Sequence, residues 1–186
     1  MTEPRFKPLS PAQWNDAQRR LAETLTKGPR GAVRGPYVPL IYSPELAAHM
    51  LHLGDFIRFG GVLPPRLKEI VIYVVARHWS VEFMFAIHAQ MAAAQGIDRA
   101  IVDTIAHGRR PAELTPQEAA VYDAARELVQ GARIGDASYA ALRQHFDEGG
   151  VIELVAFVGY YTSLAMILNT AGIESPADAP RLPPAP

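Results

Sequence analysis

Between Pro65 and Asp98 the hydrophobic pattern changes character. Residues 67–79, LKEIVIYVVARHW, are apolar nearly all round from Ile70 to Ala76, as expected of a helix enclosed by other helices. After almost no loop, Val81, Met84, His88, Met91 and Gln95 share one face at helical spacing, so an imidazole falls inside an apolar seam. Short connections place consecutive helices side by side and antiparallel, which predicts that these two meet.

The remaining punctuation is also helical. Ser10-Pro11 predicts a helix over about 11–27, and Ser43-Pro44 predicts one to about Phe59, closed by Gly60-Gly61. Pro64-Pro65 starts the enclosed helix, Ser80 caps the seam helix that ends at Gly96, and Asp98 caps a short helix. Thr115-Pro116-Gln117-Glu118 is a capping box. Helices over about 136–146 and 151–171 complete the set. No run alternates with period two for long, so the fold class is all-α. The expected organisation is one helical domain over residues 1–174 and an extended, poorly packed proline-rich tail over 175–186. The stretch 28–40 is a long loop, which serves either as a surface connector or as the wall of a site.

Composition narrows the chemistry. The 186 residues are 49% hydrophobic and 20% charged, enough for a packed core. A formal net charge of -1 provides no field to gather nucleic acid, so no nucleic-acid partner is expected. There are no cysteines, which excludes disulfides, thiolate nucleophiles and sulfur-ligated metals, and fits a cytoplasmic setting. No apolar secretory core stands at the N-terminus, and the apolar runs are too short or too interrupted to span a bilayer comfortably, so no membrane partner is expected. His49 and His52 share one face of their helix without the further ligands a metal needs, and no metal is expected. Serine elbows, phosphate-cradling loops and dinucleotide fingerprints are missing as well.

Glu69 lies early in the enclosed helix, with Ile72, Tyr73 and Ala76 above it on the same face. A buried carboxylate needs a donor, and a buried imidazole needs a partner. Packing Glu69 on His88 would satisfy both and hold the ring in one tautomer, giving a candidate acid–base pair in a dry pocket. A structural histidine with one satisfied hydrogen bond, and an early-helix acid favoured by the N-terminal dipole, fit the same residues.

Arg66-x-x-Glu69, then a buried helix, then His88 followed by small residues and Gly96, resembles the carboxymuconolactone decarboxylase and alkylhydroperoxidase D (AhpD-like) superfamily. SPELA at 43–47, LPPRLKE before the pair, and GYYTSLAMILN at 159–169 resemble its single-repeat members, over roughly Pro36 to Ile173. The resemblance implies an AhpD-like helical bundle assembled as a homo-oligomer, a trimer, hexamer or dimer, and the broad apolar surfaces of the helices point the same way. In the peroxidase branch a C-x-x-C pair precedes the histidine, and Val81 and Met84 stand at those two positions here. Thiol peroxidase chemistry is therefore not expected. The decarboxylase branch implies a cofactor-free lyase or isomerase acting on a small unsaturated acid or lactone from aromatic breakdown, with His88 as proton donor and Glu69 orienting it. Relatives often carry an acid where Met84 stands. The competing class is a non-catalytic helical oligomer or ligand-binding module of the same fold.

A substrate acid needs a cation, and Arg34, Arg66 and Arg77 are the candidates. Arg66 is equally suited to partner Glu69. Tyr37, Trp79, Phe83 and Phe85 are placed to wall a flat ligand, with Val81 and Met84 completing the lining, although aromatics at such spacing also serve as core or subunit interface. The expected partner is a small-molecule substrate.

Overall fold

The computed structural model describes residues 5–184; Met1 to Pro4 and the last two residues of the proline-rich tail, Ala185 and Pro186, lie outside the described part. Among the described residues the secondary structure is entirely helical, in agreement with the sequence pattern. The order is α1 (Asp16–Lys27), α2 (Tyr37–Leu40), α3 (Pro44–Phe59), α4 (Pro65–His78), α5 (Glu82–Ala94), α6 (Arg99–Ala106), α7 (Pro116–Gly131), α8 (Asp136–Leu142) and α9 (Glu148–Ala171).

α4 is the axis of the molecule. Every side chain from Leu67 to Arg77 is buried, and the helix packs against α5, α6, α7 and α9. Its all-round apolar character thus has the predicted cause. A second, smaller core forms where α1 and α3 clamp Tyr37, Leu40 and Ile41. α9 is long and apolar enough, by length and composition, to cross a membrane, and half of its apolar window is buried here against neighbouring helices.

Several boundaries differ from the pattern for identifiable reasons. Ser10 and Gln13 close only a short 3-10 turn over Pro11–Gln13. The chain then extends at Trp14, and α1 starts afresh at Asn15, which exchanges side-chain hydrogen bonds with Gln18 at 2.9 Å in both directions. Ser80 does not cap α5. It sits at φ 50°, a left-handed conformation that L residues seldom adopt, and its hydroxyl accepts from Arg77 Nη2 at 2.9 Å. α8 stops at Leu142 because the chain must unwind to bring Asp147, extended at ψ -179°, to the N-cap of α9. Asp147 accepts from Gly150 N at 2.8 Å, so α9 begins at Glu148 rather than Val151. The Thr115–Glu118 box forms as read.

The proline-rich tail is extended and mostly exposed, as expected, but it is pinned around Leu182. Leu182 is buried, its N–H donates to Glu82 Oε2 at 3.2 Å, and Pro183 O accepts from Arg77 at 2.7 Å. Prolines hold this segment extended and leave carbonyls free to accept, which lets it strap across the α4–α5 junction. The long loop, too, is partly built: α2 lies within it and buries Tyr37 and Leu40.

α3 meets α9 at Gly54, where an added Cβ would overlap the Tyr160 hydroxyl and lie 3.1 Å from Arg30 Nη2. Gly54→Ala is therefore expected to cost about 1–3 kcal/mol in thermal or denaturant unfolding. Adding Tyr160→Phe, which removes the struck hydroxyl, should recover part of that loss; a Gly54→Ala protein as stable as its parent would contradict this contact.

Candidate functional site

Glu69 and His88 are brought together as expected. Glu69, one turn into α4, has a side chain only 2% exposed, and its Oε2 lies 2.8 Å from His88 Nδ1 on α5. The other carboxylate oxygen is taken by a residue the sequence pattern does not flag: Arg58, in the last turn of α3, places Nη2 at 2.6 Å from Oε1. Burial by itself pushes the Glu69 carboxyl up, but the hydrogen bond and charge of His88, together with Arg58, outweigh it and hold the group below the ordinary carboxylate range. The carboxylate is thus ionised and fully paired. Arg58 also reaches Met91 Sδ at 3.1 Å, tying its fork to the same seam as His88.

The imidazole is held from two sides. Nδ1 faces Glu69, and the ring packs edge-on to Tyr161 of α9 with centroids 6.0 Å apart. Among the described residues nothing hydrogen-bonds Nε2, and the side chain keeps 13% of its surface accessible. One ring nitrogen is therefore fixed by an acid while the other is open, the arrangement of a positioned proton donor or acceptor. Burial pushes the Tyr161 hydroxyl up to about 12, so it stays a donor. Tyr161 stacks on Phe157 and meets Tyr160 edge-on, and Tyr160 leads to Tyr37 and Arg30. Arg30 caps that row, pairing with Asp55 at 3.1 Å and lying over the rings of Tyr37 and Phe59.

The other expected site residues are dispersed. Arg34 is exposed; the cation that the long loop turns inward is Arg30. Tyr37 is buried beneath Arg30, away from solvent. Arg66 does not touch Glu69: it pairs with Glu118 of α7 and donates to Gly96 O, joining α4, α7 and the end of α5. Arg77 lies at the opposite end of α4, about 12 Å along the axis from Glu69 at the helical rise, and donates to Ala106 O, Pro183 O and the Ser80 hydroxyl. Trp79 closes α4, packs edge-on to His78, and its carbonyl accepts from Asn169. Val81, Met84 and Phe85 are buried core, with Phe85 edge-on to Tyr73 at 5.3 Å, so they cannot line an open site. His49 and His52 are exposed on α3, and the described residues contain no group of three or more metal-ligand side chains.

The expected pocket beside the pair is neither of the two cavities that the structure outlines. Two cavities, of about 260 Å³ between α4, α6 and α7 and about 50 Å³ between α3, α4 and α9, are lined by neither Glu69 nor His88. Access is instead at the surface, through the partly exposed His88 and an Arg58 side chain that is 18% exposed. The missed residues leave little trace in sequence. Arg58 looks like a basic residue suited to a helix C-terminus, and the Tyr160-Tyr161 pair reads as core; only the need of buried Glu69 for two donors could flag Arg58.

Residues 44–127 match the Carboxymuconolactone decarboxylase family. No curated protein matches the chain significantly. Among solved structures, the alkylhydroperoxidase AhpD core of an uncharacterized peroxidase-related protein from Ralstonia eutropha JMP134 is 18% identical, with TM-score 0.77 over 96% of this chain and 95% of that one. An uncharacterized peroxidase-related protein from Silicibacter sp. TM1040 is 14% identical, with TM-score 0.76 and 96% of each chain covered. The debrominase Bmp8 is 14% identical, with TM-score 0.73 over 93% of this chain and 92% of that one. At such identities these neighbours establish the AhpD-like fold.

Removing the central charge tests the site's electrostatics. Glu69→Gln is expected to cost about 3 kcal/mol, the low end for breaking a buried pair because Arg58 and His88 keep some contact with water. Since the folded-state carboxyl titrates below its ordinary value of 4.5, its contribution is complete above that pH and is lost as pH falls through the lower folded value. The fall in Tm on acidification should therefore be shallower in Glu69→Gln than in the parent, as read by melting curves across the acid range.

Proposed function

With residues 44–127 carrying the carboxymuconolactone decarboxylase family segment on an AhpD-like fold, we propose that the protein is a cofactor-independent lyase or isomerase acting on a small unsaturated acid or lactone. The supporting observation is the Glu69–His88 pair, one imidazole nitrogen pinned by a buried carboxylate and the other open. In a decarboxylation of this class the bond to the carboxylate carbon breaks, carbon dioxide leaves, and the electron pair passes into a conjugated carbonyl. The resulting dienolate then takes a proton at carbon. His88 Nε2–H is the donor, Glu69 stabilises the ring while it carries the extra proton, and water restores it afterwards. Arg58 is the nearest cation to hold the substrate acid, in place of the dispersed Arg34, Arg66 and Arg77. The Tyr161 hydroxyl, kept protonated by burial, is suited to donate to the dienolate oxygen.

Thiol chemistry has no place in this reading, because Val81 and Met84 occupy the two positions that would carry sulfur nucleophiles and the chain has no cysteine. A non-catalytic binding module is the second reading, favoured by the position of the 260 Å³ cavity away from the pair. The two separate on one experiment. Candidate unsaturated lactone acids are incubated with the parent and with His88→Gln, following carbon dioxide release and loss of the conjugated chromophore. Turnover by the parent should fall at least about 100-fold in the variant; equal turnover in both, or none in either, favours the binding module. Peroxidase activity coupled to a thiol reductase should stay at background in both.

Self-association belongs to the same proposal. Leu46, Leu53, Phe56 and Phe59 on α3, with Ile152, Val155 and Met166 on α9, are large exposed apolar side chains of the kind that subunit contacts cover. Light scattering is expected to give a multiple of the 20.3 kDa chain mass.

A further inference from the structure

The 260 Å³ cavity has an unusual charge inventory. Val74, Ile105 and Val129 give it an apolar wall, two guanidinium groups, Arg77 and Arg126, border it, and no carboxylate lines it. Arg77 is the more informative of the two. It is 8% exposed, and its hydrogen bonds run to Ala106 O at 3.0 Å, Pro183 O at 2.7 Å and Ser80 Oγ at 2.9 Å. All three acceptors are neutral. These bonds use three of its five N–H donors, and the charge has no counter-ion: among the described residues no carboxylate pairs with Arg77, and withdrawing a cation from water without one is costly.

Arg126 is half-buried and likewise has no carboxylate partner among the described residues. Its neighbour is the Tyr122 hydroxyl, which itself donates to Arg109 O at 3.0 Å. The acids beside it on α7 are engaged elsewhere. Asp123 holds Arg110 through both oxygens at 2.7 and 2.8 Å, and Glu127 accepts from Ser138 and from Gly135 N. Two uncompensated forks on one apolar hollow form a recognition set for an anion with an apolar body. The volume sets the scale, since drug-sized ligands occupy roughly 300–1,000 Å³ and this cavity is smaller. A single ring or a short branched chain fits.

We propose that this cavity is a binding site for a small monocarboxylate with an apolar body, its carboxylate between Arg77 and Arg126 and its body against Val74, Ile105 and Val129. The site does not depend on Glu69 or His88 and stands whether or not that pair is catalytic.

Benzoate serves as the probe, benzamide as the neutral ligand of the same shape, and inorganic phosphate as an anion without an apolar body. Binding to the full chain is followed by calorimetry and by amide chemical shifts. Benzoate should saturate with shifts centred on residues 74, 105, 126 and 129 and not on 69 and 88. Benzamide and phosphate should each bind at least tenfold more weakly. Arg126→Gln should weaken benzoate at least tenfold while melting, without ligand, no lower than the parent, because it removes an unpaired charge; this variant keeps the test sound if Arg77→Met fails to fold. Benzamide or phosphate binding as tightly as benzoate, unchanged benzoate binding by Arg126→Gln, shifts confined to the Glu69–His88 region, or no saturation into the tens of millimolar would each overturn the proposal.

Discussion

A carboxylate almost wholly withdrawn from water stays ionised only when both of its oxygens meet donors, and Glu69 meets this condition by calling on two other helices. Arg58 comes from the end of α3 and His88 from the middle of α5, so one buried charge fixes the relative position of three helices. The neighbouring Lys68 reaches the other way. Its ammonium donates to Gly60 O at 2.7 Å and Arg58 O at 3.2 Å, satisfying carbonyls that the end of α3 leaves without helical partners. Arg58 is thereby held twice, by its side chain through Glu69 and by its carbonyl through Lys68, and the C-terminus of α3 is locked to the start of α4.

That lock defines what the imidazole can do. Once Nδ1 is bound to Glu69, the ring cannot rotate without leaving the carboxylate half-paired, and Tyr161 against its edge removes the remaining freedom. The open nitrogen therefore points in one direction for structural reasons, whatever meets it. The row of rings behind it extends the constraint outward to the long loop, since Tyr161, Tyr160, Tyr37 and Arg30 follow one another to Asp55 on α3. The loop that looks optional by length is anchored near its start by Arg30.

The sequence makes some of this legible and hides the rest on physical grounds. The enclosed character of α4, the Glu69–His88 pairing and the Thr115 cap all rest on local periodicity, near-adjacent helices or short-range hydrogen bonds, which a single sequence encodes directly. Arg58 meets Glu69 across two different helices, and nothing in its local spacing distinguishes it from any basic residue in a last turn. Arg66 and Arg77 are recognisable as cations, but the sequence does not show which groups their donors meet, because Glu118 and the carbonyls of Ala106 and Pro183 are far along the chain. The tail misleads for the opposite reason: its prolines predict an extended backbone correctly, while packing of Leu182 depends on a groove formed elsewhere. Val81 and Met84 lie on the seam as predicted, and there the seam faces the core, so both serve as packing.

α4 finally shows how unevenly a fully enclosed helix can be balanced. Near its start, Arg66, Lys68 and Glu69 each have a partner that answers their charge or completes their hydrogen bonds, and the polar groups there knit the bundle together. Near its end, Arg77 is buried with dipoles alone for company. An apolar side chain of similar length would fill that space without the desolvation cost, so packing by itself gives no reason for a guanidinium there. Its donors do hold the tail and the end of α6 in place, but neutral donors would serve that purpose too. A cation at this position suits the carbonyl ends of α4 and α6, and it also attracts an anion, for which the hollow beside it has room.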